Sequence, residues 1–172
     1  RRSGSWASVD TIRDTPKSRT HRPNSVSQRS GARLNLPRSS ASRRNIVVVR
    51  DFPAPLAVLG DEAQLKQLFL NLFLNAVEAM PSGGTLRMEG RRDEKGKILA
   101  SVIDTGEGIP DDRLDRIFDP FYTTKPNGTG LGLSICYHIV KTHDGDIEVK
   151  SKEGRGTTML VRLPPAPETD RP

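Results

Sequence analysis

The sequence predicts an α+β fold: a two-layer α/β sandwich, in which a mixed sheet of about five strands carries about three helices on one face. Three observations lead to it. Residues 61–80 hold apolar side chains at helical spacing. Other segments run apolar or alternate with period two, as strands do. The elements succeed one another as β-α-β-β-α-loop-α-β-β, an alternation that lays helices against a sheet.

Residues 1–44 precede that pattern. They hold 11 of the chain's 27 Lys and Arg but only Asp10 and Asp14 of its 21 acids, together with ten serines. Ile12, Val26, Leu34 and Leu36 stand isolated, and Trp6 says little. Such a stretch buries too little apolar surface to offset its ordering entropy, so it is expected to be a disordered tail. The alternative is a basic arm that orders on nucleic acid or acidic lipid. The remaining residues carry 16 bases against 19 acids, so the formal charge of +6 describes the tail. No nucleic acid is therefore expected on the core.

Order is expected over 45–164. "NIVVVRDF" (45–52) has the β-branched run Ile46 to Val49 of a strand, ended by "PAP" at 53–55. The helix over 61–80 starts on Asp61, a fair N-cap, with Gln64 placed as in a capping box. Leu65, Leu68, Leu72, Ala76 and Ala79 form its apolar stripe, widened by Phe69, Phe73 and Met80. "PSGG" (81–84) stops it. "TLRMEGRR" (85–92) and "KILASVID" (97–104) read as a hairpin joined by "DEKG". A loop (104–110), a short helix (111–118), a long loop (119–130) and a helix (130–143) follow. "DIEVKS" and "TTMLVRLP" close the fold as two strands around "KEGRG". Residues 165–172 are expected to be a disordered C-terminal tail.

Cys136 is the one cysteine, so no disulfide forms within the chain, and it reads as a small buried apolar residue. A reducing, cytoplasmic setting is expected, with no membrane span in this chain, since no run of 18 apolar residues exists.

Three groups of residues point to chemistry. Asn71, Asn75 and Glu78 fall within an arc of about 60° on one helix face. A solvated face is the plain reading, but asparagine is a poor residue for a helix interior, and amide oxygens suit Mg²⁺ that keeps phosphate and water ligands. Asp104 ends a strand and is followed by Gly106 and Gly108, so its carboxylate could accept from the exocyclic amine of adenine. Taken singly it also reads as an Asp-Gly turn. Gly128, Gly130 and Gly132 lead into a helix start, where backbone N–H groups and the helix dipole favour an anion. This is neither a Walker loop nor the dinucleotide fingerprint, because no Gly-Lys-Ser/Thr follows and Leu133 stands where a third glycine is needed. Lys125 offers a mobile positive charge nearby.

Together, an Asn-x-x-x-Asn helix, Asp-x-Gly-x-Gly after a strand, "FDPFYTTK" and "GTGLGL" opening a helix resemble the ATP-binding catalytic domain of sensor histidine kinases. That group lies within the superfamily shared by DNA gyrase, Hsp90-type chaperones and MutL, which has the Bergerat-type ATP-binding fold. "NLFLNAVEAMPSGG" is most similar to kinases of the nitrogen-regulation type. The resemblance implies that Asn75 is the Mg²⁺ ligand and Asn71 its phosphate-side neighbour. It implies that Asp104 reads adenine in a pocket shaped by Gly106, Gly108 and Ile109, with Thr157 close by. Phe118 and Phe121 would anchor a mobile lid. Thr124, Lys125, Gly128, Thr129, Gly130, Leu131, Gly132 and Leu133 would line the phosphates.

ATPases of the superfamily carry a Glu one turn before the metal-binding Asn. Here that position is Asn71, and an amide cannot take a proton from water. The resemblance thus implies ATP and Mg²⁺ as cofactors, Asn71, Asn75 and Lys125 as catalytic residues, and transfer of the γ-phosphoryl group to an outside nucleophile. That nucleophile would be a histidine on a dimerisation domain, with a response regulator receiver domain as the next partner. His21, His138 and His143 lack the His-Glu or His-Asp helical context of an acceptor, so the acceptor is expected elsewhere. A nucleotide-binding module without kinase activity of its own, or an anti-sigma-type serine kinase, are the alternative readings.

Overall fold

The computed structural model describes residues 6–8, 45–52, 56–126 and 128–167. Its elements are β1 (Trp6–Ser8), β2 (Ile46–Asp51), β3 (Ala57–Leu59), α1 (Glu62–Glu78), β4 (Gly84–Arg92), β5 (Ile98–Asp104), a 3-10 helix (Asp111–Arg116), α2 (Gly132–Thr142), β6 (Asp146–Lys152) and β7 (Gly156–Leu163). Five strands form one mixed sheet in the order β2-β4-β5-β7-β6. β2 runs parallel to β4, with α1 in the crossover between them, and the other neighbours are antiparallel. The α+β two-layer expectation stands.

The core lies between this sheet and the two α-helices. Leu65, Leu68, Leu72 and Ala76 of α1 meet Cys136, Ile139 and Val140 of α2, over Leu86, Ile98, Val102, Ile147, Met159 and Val161 of the sheet. The 3.6-residue stripe of α1 and the two-residue alternation of β7 account for which side chains go inward. Cys136 is fully buried, and burial pushes its thiol up to about 12. It is a packing residue, held near the Leu68 carbonyl at 3.6 Å.

The Asp61 cap is realised, its Oδ1 accepting from the Gln64 N–H at 2.9 Å. The other half of the capping box comes from elsewhere. The Asp61 N–H donates to Nε2 of His143 at 3.0 Å, and Nδ1 of His143 donates to the Ile139 carbonyl at 2.7 Å. Both bonds form only in the neutral ring with its proton on Nδ1. His143 is thus a structural side chain. It ties the start of α1 to the end of α2, with Gly60 so close that an added Cβ would lie 2.5 Å from the ring.

Four features depart from the expectations or add to them. The short helix over 111–118 is a 3-10 helix of six residues with no side-chain cap, so the helical layer holds two α-helices. β3 follows "PAP" and is too short, at three residues, to show a period. Within the expected N-terminal tail, Trp6–Ser8 is a strand antiparallel to β3, whose edge backbone groups need partners. The rest of 1–44 and residues 53–55 lie outside the described residues. At the other end, order does not stop at 164. Ala166 is buried and its N–H donates to the Ala57 carbonyl at 2.9 Å, because β3 offers that edge as well. Residues 168–172 lie outside the described residues. Among the described residues, no helix is long and apolar enough to cross a membrane.

Candidate active site

Two strips of sequence are brought together above one end of the sheet. The first is the polar face of α1. The fold buries Leu68, Leu72 and Ala76, which leaves Asn71 and Asn75 half-buried on the adjoining face and Glu78 exposed. The second is the segment 119–133. Asn71 Nδ2 donates to the Gly132 carbonyl at 3.4 Å, and Lys125 Nζ donates to Asn75 Oδ1 at 3.4 Å and to Glu78 Oε2. The three residues of the α1 face thus meet the start of α2 and Lys125.

Asp104 enters by period two. Ile98, Ala100, Val102 and Asp104 are alternate residues of β5, and all four are buried. A carboxylate occupies the last inward slot of a central strand. Its Oδ1 accepts from the Gly106 N–H at 2.8 Å and from the Thr157 N–H at 3.2 Å. Burial nonetheless outweighs those two bonds and raises the Asp104 pKa from its ordinary value. Because Oδ1 is engaged, Oδ2 is the atom left for an incoming donor.

Around Asp104 the fold adds a residue that the sequence analysis did not single out. Ser151 Oγ donates to the Gly156 carbonyl at 2.9 Å, accepts from the Ile109 N–H at 2.8 Å, and lies 2.9 Å from Thr157 Oγ1. The signal was present in the register, since Ser151 and Thr157 are cross-strand partners on β6 and β7. Thr157 is buried, and Gly108, at φ 71°, turns the chain between Asp104 and Ile109.

The lid residues divide. Phe118 packs on the core and tilts against Tyr137, ring centroids 5.7 Å apart. Phe121 does not anchor the lid through its side chain: it is 75% exposed, and its φ of 67° turns the ring outward. Its backbone takes that part, the N–H donating to the Gly130 carbonyl at 2.9 Å. Next to it Tyr122 goes inward, meeting the core and lying under the Arg116 guanidinium at 4.7 Å. Thr124 is exposed, while Thr123 Oγ1 accepts from the Lys125 N–H at 3.1 Å and shapes the turn. Thr129 Oγ1 accepts from the Leu131 N–H at 3.4 Å, and Leu133 packs against the core.

The glycines differ in purpose. Gly130 has φ 68°, and an added Cβ would lie 2.3 Å from the Phe121 backbone, so the fold itself demands glycine. At Gly132 an added Cβ would meet nothing nearer than Asn75 Nδ2 at 4.0 Å. That glycine keeps clear the space between Asn75 and the start of α2, where Leu131 caps the helix without a side-chain bond. We expect Gly132→Ala to leave thermal stability unchanged or to raise it by up to about 1 kcal/mol, since alanine is the better helix former. Affinity for an anion seated there should fall about tenfold from the intruding methyl. Thermal unfolding and nucleotide titration of the same variant separate the two effects.

A helix face of two amides, a lid cation, a helix start kept open by glycine and a buried acid at the far end define a nucleotide-binding catalytic domain. The family model for the histidine kinase-, DNA gyrase B-, and HSP90-like ATPases matches residues 60–167, and the chain belongs to that family. Within it the chain is an ATP-binding catalytic domain of the histidine-kinase kind. It is similar to sporulation kinase C of Bacillus subtilis (strain 168), at 38% identity over 148 residues, covering 85% of this chain and 34% of that protein. The sensor histidine kinase ZraS of Escherichia coli (strain K12) is 43% identical over 107 residues, covering 62% of this chain and 23% of that protein. Among solved structures, the nucleotide-free catalytic domain of histidine kinase ThkA matches with a TM-score of 0.63 at 36% identity, covering 70% of this chain and 80% of that one. The chain thus spans about a third or less of the length of those curated relatives.

Proposed function

We propose that this domain binds Mg-ATP and donates the γ-phosphoryl group to a histidine on a separate dimerisation domain, for relay to a response regulator. One observation carries the reading: Asn71 and Asn75 converge with Gly132 and Lys125, and no carboxylate stands at position 71.

Asp104 Oδ2 accepts from the exocyclic amine of adenine, which selects adenine over guanine, whose carbonyl at that place would face an acid. Gly106, Gly108 and Ile109 border the base, and Thr157 and Ser151 hold that wall in register. Phosphates lie between the α1 face and the start of α2, where Lys125 and the dipole of α2 offset their charge. The residues present fit a divalent ion that arrives with the nucleotide. Among the described residues no three His, Cys, Asp or Glu side chains gather as a metal cage, and Asn75 Oδ1 is a hard oxygen donor beside the phosphate space. When bound, Mg²⁺ neutralises charge on the phosphate oxygens.

The chain's own contribution is positioning and charge compensation. Asn71 donates to a backbone carbonyl through its amide and cannot take a proton from water, so hydrolysis by this domain alone should be slow. The γ-phosphate is held for a nucleophile that enters from outside. The full chain incubated with γ-labelled ATP, with and without a supplied histidine-bearing helical hairpin, tests this. Label should move to histidine of the hairpin and little should appear as free phosphate. Intact ATP binding with no labelled histidine, or label on a serine, would overturn the assignment.

A further inference from the structure

Lys125 and Glu78 are 47 residues apart in sequence, yet the lid ammonium rests on the Glu78 carboxylate as well as on Asn75 Oδ1. The carboxylate stands one helical turn beyond Asn75 on the same face of α1, so one cation is shared by an amide and an acid. A terminal phosphate drawn to that ammonium would face Glu78 as a like charge. Nothing in the proposed transfer requires an acid at this place.

We infer that Glu78 is a positioning residue: it holds Lys125 beside Asn75 while the site is free of nucleotide, and it competes with the terminal phosphate of ATP for that ammonium. The inference rests on the proposed reading of the site as an ATP pocket. When ATP enters, Lys125 transfers from Glu78 to the γ-phosphate. After the phosphoryl group has left, ADP has no phosphate within that reach, and Lys125 returns to Glu78. Glu78 therefore weakens ATP binding but leaves ADP binding alone, which narrows the preference of the site for ATP over its product. The Lys125 and Glu78 side chains are 42% and 50% exposed, so the pair is a screened one, of modest strength.

The test is a double-mutant cycle on the full chain with Glu78→Gln, Lys125→Met and the combination, measuring Mg-ATP and Mg-ADP affinity by calorimetry. Glu78→Gln should tighten ATP about 2- to 5-fold, the span of an exposed ion pair. It should leave ADP unchanged, and the gain should vanish in the Lys125→Met background. Hydrogen exchange of 121–130 without nucleotide should quicken in Glu78→Gln. Weaker ATP binding in Glu78→Gln, an equal shift for ATP and ADP, or a gain that survives Lys125→Met would overturn the inference. If the wild-type chain takes up no Mg-ATP, the reading of the pocket fails instead, and unchanged lid exchange in Glu78→Gln would then sink the Lys125–Glu78 coupling by itself.

Discussion

Asp104→Asn is expected to weaken adenine nucleotide binding by about 10- to 100-fold, the span of a hydrogen bond to a charged acceptor, and to leave the protein at least as stable as before. The two outcomes come from opposite halves of one side chain. Oδ1 accepts from the N–H groups of Gly106 and Thr157, and an amide oxygen does the same in the same place. On the proposed reading Oδ2 faces adenine, and in asparagine that atom becomes an NH₂ donor opposed to the donor amine of the base. Binding is lost because two donors then face each other.

Stability follows from the raised pKa of the acid. Burial disfavours the charged form more than the two backbone bonds favour it. For an acid with a raised folded-state pKa, the cost is absent below the ordinary carboxylate range and is fully present once pH has passed the folded value. Above the folded pKa the wild type carries that cost and the amide does not. Wild-type stability should therefore decline as pH rises through the folded pKa of Asp104, and that part of the profile should be flat in the variant. Calorimetric unfolding across that range, with ATP titration at neutral pH, checks both. A variant that loses binding because it unfolds would overturn the assignment of Oδ2 to the ligand.

How much of this was open to a reader of the sequence depended on whether a residue's neighbours were local. The α1 face could be read from spacing alone, because a helix fixes which of its side chains lie together. The place of Asp104 at a strand end was legible too, since the apolar run 97–104 stops on it, but its burial shows only in the alternation along β5. The lid was legible in composition and not in detail. "FDPFYTT" offers three aromatics and two threonines, and only tertiary packing decides that Tyr122 goes in, Phe121 goes out and Thr123 shapes the turn. Ser151 and His143 were hidden for a third reason. Each acts through partners far along the chain, Ser151 through Ile109 and His143 through Asp61, and no local period announces such pairs. β1 and β3 pair across sequence in the same way, and neither is long enough to show alternation.

Asn75→Ala should cut phosphoryl transfer to a supplied acceptor by about 100-fold or more, as the loss of a preorganised group facing developing charge commonly does. The fold should not suffer, because Asn75 is half-buried and its side chain's polar contact is with the partly exposed Lys125 ammonium at 3.4 Å. Asn75→Asp separates the two parts that the amide plays. It keeps an oxygen suited to Mg²⁺, but it sets a full negative charge against the phosphates and a second carboxylate beside Glu78 and Lys125. If a donor oxygen alone were enough, Asp would restore transfer. If the site needs an oxygen without charge, Asp should fail nearly as badly as Ala, and Lys125 should be held more firmly away from the nucleotide. The second outcome is expected, since Lys125 is shared by Asn75 and Glu78 and, on the proposed reading, is needed by the terminal phosphate as well. Single-turnover transfer measured over a range of Mg²⁺ concentrations distinguishes them. In Ala the Mg²⁺ requirement should rise steeply, whereas in Asp saturating Mg²⁺ should still leave the rate low. Wild-type transfer by Asn75→Asp would show that the neutrality of this amide is not what the chemistry uses.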